Sequence, residues 1–287
     1  MSSTEEITSK SPAVERYLSP DKGTYQTPPP SASRSACPMI NALANHGYLP
    51  RDGRQVTASD LESAMSLVGL SPSLGALFSN AVFLEHPTPG SPRPSLFSRL
   101  RAILQNPWEL LPHRLGVLLP GQSDTSSTGN PHTKAKTLSL ADLSLHGAIE
   151  HDVSLSRRDE AQGDNHTPQA DLIYEIMASS NGDKTLTMDD LCALRKRRIE
   201  TQRAENKELQ YGSFEHELGC GEIALILKIF GDGERVKREY LQAFFGDERL
   251  PLAEGWNMER RNSWWKRLGL VELKWKVEQV KRKIGKV

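Results

Sequence analysis

The 287-residue chain has few cysteines, no surplus of charge and no long apolar run. Its three cysteines, Cys37, Cys192 and Cys220, cannot build a disulfide framework, so at least one thiol is free. Each reads as a buried residue, a metal ligand or a nucleophile. Basic and acidic side chains balance at 36 each, which leaves no overall field to draw the protein onto nucleic acid or an anionic membrane. No stretch approaches the ~20 apolar residues that a membrane-spanning helix needs. The first 35 residues lack the basic start and apolar run of a secretory signal, and the expectation is an intracellular protein, cytoplasmic or peripheral to a membrane. The alternation of a half-buried strand is also nearly missing, which makes the fold class all-α.

What is present suffices for one enzyme-sized domain. A hydrophobic share of 37% can bury a core with a cofactor-sized cavity. Residues 1–35, rich in Ser, Thr and Pro, read as a flexible arm, so folding is expected to start near Cys37. A short helix should begin at Pro38 and stop at Gly47. Thr57 with Asp60, and Thr187 with Asp190, have the spacing of capping boxes that open helices. Another helix should begin at Thr167-Pro168, with further ones near 217–230 and 234–245. Residues 85–136 form a Pro-rich insertion in which no long helix survives, although its apolar half should pack on something. The tail, 257–287, reads as a basic amphipathic helix with Leu273, Val277, Val280 and Ile284 on one face. That stripe suits docking on the domain, or contact with a membrane surface or partner.

Three places could carry chemistry. Cys37 stands at the N-cap of a helix, where unsatisfied N–H groups and the helix dipole favour thiolate; a buried inert thiol fits the same position. Glu150-His151-Asp152, with Ser154 just beyond, could fold round a cation with oxygen ligands or form a solvated polar loop. Glu222 heads an apolar run, Ile223-Ala224-Leu225-Ile226-Leu227. A helix entering the core there would desolvate the carboxyl and suit it to acid–base work, whereas an exposed first-turn Glu would only complement the dipole.

Together these segments resemble the fungal haem-thiolate peroxidases, the family of chloroperoxidase and the unspecific peroxygenases, especially its short branch. Ala36-Cys37-Pro38 resembles the family's Pro-Cys-Pro ligand loop, and Leu43-Ala44-Asn45-His46-Gly47 the stretch behind that loop. Glu150-His151-Asp152-Val153-Ser154 resembles its Glu-His-Asp-x-Ser motif. Gly221-Glu222-Ile223-Ala224 is similar to the segment bearing the distal acid, and Glu248-Arg249-Leu250-Pro251 with Glu254-Gly255-Trp256 to the closing motif. Coverage is about residues 36–256, which would be the catalytic domain.

The resemblance implies a single multi-helix domain around a buried haem b, with Cys37 as axial thiolate to the iron. Glu222 would move a proton from one oxygen of H2O2 to the other, and His151 would orient it. Glu150 through its carboxylate, His151 through its backbone carbonyl and Ser154 through its hydroxyl would hold Mg2+ or Mn2+ beside a haem propionate. Ala36 departs from the family's first proline and would relax the loop before the ligand. The partners implied are H2O2 and a small apolar, possibly aromatic, organic metabolite, with peripheral membrane contact open for the C-terminal helix or residues 97–119. Haloperoxidase chemistry would use the same site. Two other readings differ in kind: a cysteine hydrolase or transferase using Cys37 with His151 and Asp152, and a haem-binding or interaction protein without catalysis.

Overall fold

Thr57 and Thr187 each open a helix by the same exchange of hydrogen bonds. The Thr57 hydroxyl accepts the Asp60 N–H at 3.1 Å while the Asp60 carboxylate accepts the Thr57 N–H at 2.9 Å; Thr187 and Asp190 repeat this at 3.2 and 2.8 Å. The computed structural model describes residues 21–84, 137–144, 146, 150–180, 182–261 and 266–285. The insertion 85–136, residues 97–119 within it and residues 1–20 lie outside that set.

In chain order the described elements are α1 (Pro38–Asn45), β1 (Val56–Thr57), α2 (Ala58–Leu67), α3 (Pro72–Leu84), β2 (Thr137–Leu138), α4 (Ala170–Ala178), β3 (Thr185–Thr187), α5 (Met188–Glu205), α6 (Ser213–Ile229), β4 (Arg235–Lys237), α7 (Arg238–Leu241) and α8 (Leu270–Ile284). The fold is helical, as expected. The strands form two small antiparallel ladders, pairing Val56 with Leu138 and Leu186 with Val236. Each ladder pins the start of a capped helix.

Several boundaries differ from the sequence pattern, each for a local reason. α6 begins at Ser213 rather than near 217, because the Glu215 carboxylate accepts the Gly212 N–H at 2.8 Å and caps the earlier turn. The helix expected over 234–245 is split: Val236 is buried between two exposed neighbours and pairs with β3, α7 comes next, and Gln242–Gly246 winds as a wider π-type turn. α3 was not foreseen, although Pro72 at its first position is a usual helix start. It packs on α2 and buries Leu74.

Residues 21–35, expected to belong to a flexible arm, are instead laid across α1 and the turn after it. The N–H groups of Gly23 and Gln26 donate to the carbonyls of His46 and Asn45 at 2.8 and 2.9 Å, and Ser33 N–H to Asp52 at 2.8 Å. Gly53, at φ 68°, permits this approach, since a Cβ there would fall 2.0 Å from the Ser33 carbonyl oxygen. Backbone pairing of this kind needs no apolar side chains and leaves no compositional trace.

At the other end, α8 docks on α6 and α5 and buries Leu273, Val277, Val280 and Ile284. The apolar stripe thus faces the domain. No helix among the described residues is long and apolar enough to cross a membrane.

Candidate functional site

Cys37 is the N-cap of α1, in extended geometry, with Pro38 opening the helix. The loop before it is fixed by side chains from three directions. Cys37 N–H donates to Ser35 Oγ at 3.0 Å, Ser35 N–H to Asn41 Oδ1 at 2.8 Å, and Ala36 N–H to Ser144 Oγ at 2.7 Å. A proline at position 36 could not make the last bond. The loop is therefore held rather than relaxed. Burial pushes the Cys37 thiol up, outweighing the backbone N–H groups of Ile40 and Met39 and the Arg157 guanidinium, which pull it down. The expected thiolate bias of the helix end is present but smaller than desolvation. A metal ion bound at the sulfur would offset that desolvation and favour the thiolate.

Glu222 sits just past the middle of α6, its side chain about a quarter exposed, and lines the same cavity as Cys37. Its surroundings are not the apolar ones expected. Oε2 lies 3.1 Å from Nη1 of Arg195, a fully buried guanidinium from α5, and Oε1 accepts the Ser154 hydroxyl at 3.1 Å. Arg195 also donates to the carbonyls of Val153 and, at 3.3 Å, Glu215. Its guanidinium passes where a side chain at Gly219 would be, with a Cβ there only 1.6 Å from Nη2. Sequence reasoning missed Arg195, which lies in a charged run, Arg195-Lys196-Arg197-Arg198, that reads as a solvated face. The buried positions of that run are i and i+3, Arg195 and Arg198, and that spacing is the only signal.

His151 is buried, and Nδ1 donates to the Asp152 carbonyl at 2.9 Å. Its Nε2 stands 3.9 Å from Glu222 Oε2, outside hydrogen-bond reach. The turn carrying these residues is tight. Val153, a β-branched residue at φ 61°, is held there by its N–H on Asp159 at 2.7 Å and by Arg195 on its carbonyl. This turn points His151 and Ser154 toward Glu222.

Glu150 turns elsewhere. Its Oε2 lies 2.6 Å from His146 Nδ1, and His146 in turn is 3.9 Å from Asp152 Oδ1. Of the oxygen set expected for a cation, Glu150, His151 and Ser154 all line the cavity, where Ser154 donates to Glu222 and Glu150 faces His146. His146 was not foreseen as a member.

A second buried pair lies near Cys37. Arg157 bonds the Glu248 carboxylate, which also accepts Asn41 Nδ2 from α1 at 2.9 Å, so α1, the segment after the Glu-His-Asp turn and the segment after α7 share one polar contact. Burial nevertheless pushes the Glu248 carboxyl up, against the pull of Arg157 and Asn41.

The cavity itself has a volume of about 310 Å³. Its wall is mostly apolar, from Met39, Met65, Phe78, Phe214, Leu225 and Phe244 among others, with Cys37, Glu150, His151, Ser154, Arg157 and Glu222 among its polar points. Such a site suits a flat apolar cofactor: the soft thiol offers an iron ligand, and the buried Arg157, whose Nε makes no hydrogen bond among the described residues, is a cation for a carboxylate group. The residues present fit haem.

Residues 23–264 match the model of the family described as peroxidase, family 2. The chain is 27% identical over 230 residues to an aromatic peroxygenase of Coprinellus radians, covering 77% of this chain and 78% of that protein. It is 26% identical over 230 residues to the aromatic peroxygenase of Cyclocybe aegerita, where it spans 54% of the relative. A shorter stretch of 51 residues is 45% identical to the chloroperoxidase of Leptoxyphium fumago, 17% of this chain and 14% of that one.

Proposed function

Because the chain belongs to peroxidase family 2, the fungal haem-thiolate peroxidases, we propose that it is a peroxide-dependent oxidoreductase that oxygenates or oxidises a small apolar organic substrate. One observation carries this reading: Cys37 and Glu222 line one largely apolar cavity. Bound haem supplies the redox chemistry, since a thiolate-ligated iron promotes cleavage of the peroxide O–O bond.

The chain's own residues do the rest. Cys37 would hold the iron from the N-cap of α1. The Glu222 carboxylate takes the proton from one oxygen of H2O2 and returns it to the other, so that water leaves. Arg195 and Ser154 fix both oxygens of that carboxylate, and His151 borders it. The apolar wall keeps water away and receives an organic molecule in preference to a hydrated halide, which supports oxygenation over halogenation. A divalent cation at Glu150, Mg2+ or Mn2+ by resemblance, belongs to the same reading. A cysteine hydrolase is not supported: no hydrogen bond joins Cys37 to His151 among the described residues, and burial raises the thiol.

The test is the ferrous carbonyl spectrum of the purified protein. A strongly red-shifted Soret band, lost in Cys37→Ala, is expected. A histidine-type spectrum, or one unchanged in Cys37→Ala, overturns the assignment.

A further inference from the structure

α8 lies past the span that matches the family, which ends at residue 264, and yet it builds part of the cavity wall. Leu270, Leu273, Lys274 and Val277 line the same cavity as Cys37 and Glu222. Their spacing, i, i+3, i+4 and i+7, is one face of a helix, and three of the four are apolar. The stripe that docks this helix is therefore divided. Val280 and Ile284 are buried without lining the cavity, whereas Leu273 and Val277 are buried at its edge.

Two contacts set the register of α8 against α6. Near the start of α8 the Glu272 carboxylate meets Lys228, near the end of α6, at 3.0 Å; near the end of α8 Lys281 acts on the Glu217 carboxyl, near the start of α6. The two helices run antiparallel. Five residues on from Glu272 and five back from Lys228, about 7.5 Å along each axis, Val277 comes about level with Ile223, the neighbour of Glu222. Leu273 lies one turn further along the same wall.

This wall is fixed in place. Lys276, between the two lining positions, is 1% exposed and donates to Glu234 Oε1 at 2.7 Å and to Gln279 Oε1 at 2.8 Å. Lys283 reaches Asp189 on α5 at 2.5 Å. Together with the packing of α8 on α5 and α6, these ties hold Leu273 and Val277 at a set distance from the cavity.

Resting on the peroxide-dependent reading, we propose that α8 is the specificity wall of the substrate chamber, where Leu273 and Val277 set how large an apolar ring can stand beside the Glu222 carboxylate. The substrate class is a flat apolar ring compound, whose face lies against two branched aliphatic side chains. One methylene more or less in such a pocket changes selectivity by roughly 10–200-fold at most, so small substitutions at these positions are readable.

The experiment is a spectral titration of the ferric, haem-loaded, full-length protein with toluene, naphthalene and phenanthrene, read as perturbation of the Soret band, together with peroxide turnover of the same compounds. Val277→Ala should tighten phenanthrene relative to toluene by about fivefold or more, and Val277→Ile should move that ratio the other way by about twofold or more. Val280→Ala makes the same change about one turn along α8, at a buried position that does not line the cavity, and should leave the ratio within about twofold despite its own packing loss. Unchanged ratios in both Val277 variants overturn the proposal. So does an equal shift in Val280→Ala, which would make α8 a structural support only. Ring compounds that bind with the expected ratios but are not turned over contradict the peroxide reading and leave the wall standing.

Discussion

Arg195 on α5 places Nη1 3.1 Å from Oε2 of Glu222 on α6, and this contact joins two helices at the wall of the cavity. The guanidinium is fully buried and reaches the carboxylate only because position 219 has no side chain. Two further bonds to the carbonyls of Val153 and Glu215 leave it little freedom. The orientation of Glu222 is thus set mainly by a residue 27 positions earlier in the chain.

Glu222→Gln keeps the shape and removes the proton carrier. Peroxide turnover should fall by roughly 10²–10⁴ while the haem spectrum is kept. Retained turnover with bound haem would assign the acid–base role elsewhere.

Arg195→Gln should lower turnover about 10²-fold or less, since the carboxylate remains but loses its fixed position. Stability should drop by an amount at the low side of ~3–5 kcal/mol, because Glu222 is partly exposed and water can replace the lost partner. Steady-state kinetics and thermal melts on one preparation separate the two effects. Equal loss of binding and turnover would point to a purely structural Arg195.

Gly219→Ala offers a test by sign. Gly to Ala within a helix ordinarily stabilises by about 1 kcal/mol. Here the added Cβ would stand 1.6 Å from the Arg195 guanidinium, so the variant should melt lower and lose turnover as Arg195→Gln does. A higher melting temperature would show that the guanidinium has somewhere else to go.

Ala36→Pro restores the family's residue and removes the N–H that donates to Ser144 Oγ at 2.7 Å. Net destabilisation of about 0.5–1.5 kcal/mol is expected in denaturant titrations, with Ser144→Ala giving a similar loss. If the proline variant is more stable, the loop does not depend on this bond.

His46 predicts a pH dependence. Its Nε2 accepts the Leu250 N–H at 3.0 Å and its Nδ1 meets the Gly23 carbonyl at 2.8 Å, an arrangement that requires neutral imidazole. Burial, with help from Arg51 and Arg249, holds its pKa below the usual histidine value. The unfolded chain therefore takes up this proton first as pH falls. The contribution is present in full above about pH 6.5 and declines as pH falls from there toward the lower folded value. The melting temperature of His46→Gln should be lower than wild type at pH 7.5 and should vary less between pH 7.5 and 5.5. Parallel curves would mean that His46 is not the group responsible.

The motifs were legible because local chemistry leaves a mark on residue order. Both capping boxes, Pro38 after Cys37, the amphipathic stripe of α8 and the Glu-His-Asp-x-Ser turn are spacings of one to a few residues, and the chain folds there as they suggest. Less could be read where pairing is between backbones or across long separations. The arm over 21–35 is held by N–H and carbonyl groups that any residue owns. α3 and the split at 234–245 depend on neighbours, α2 in one case and β3 in the other.

By itself, then, the sequence determined a mainly helical chain with a cysteine at a helix start, a carboxylate leading an apolar run and a polar turn between them, because helix caps and amphipathic faces are local properties. Only the tertiary structure decided which charges meet. It set Arg195 on Glu222 and closed Arg157 on Glu248, since contacts between residues tens of positions apart depend on how helices pack and on where a missing side chain, as at Gly219, leaves room.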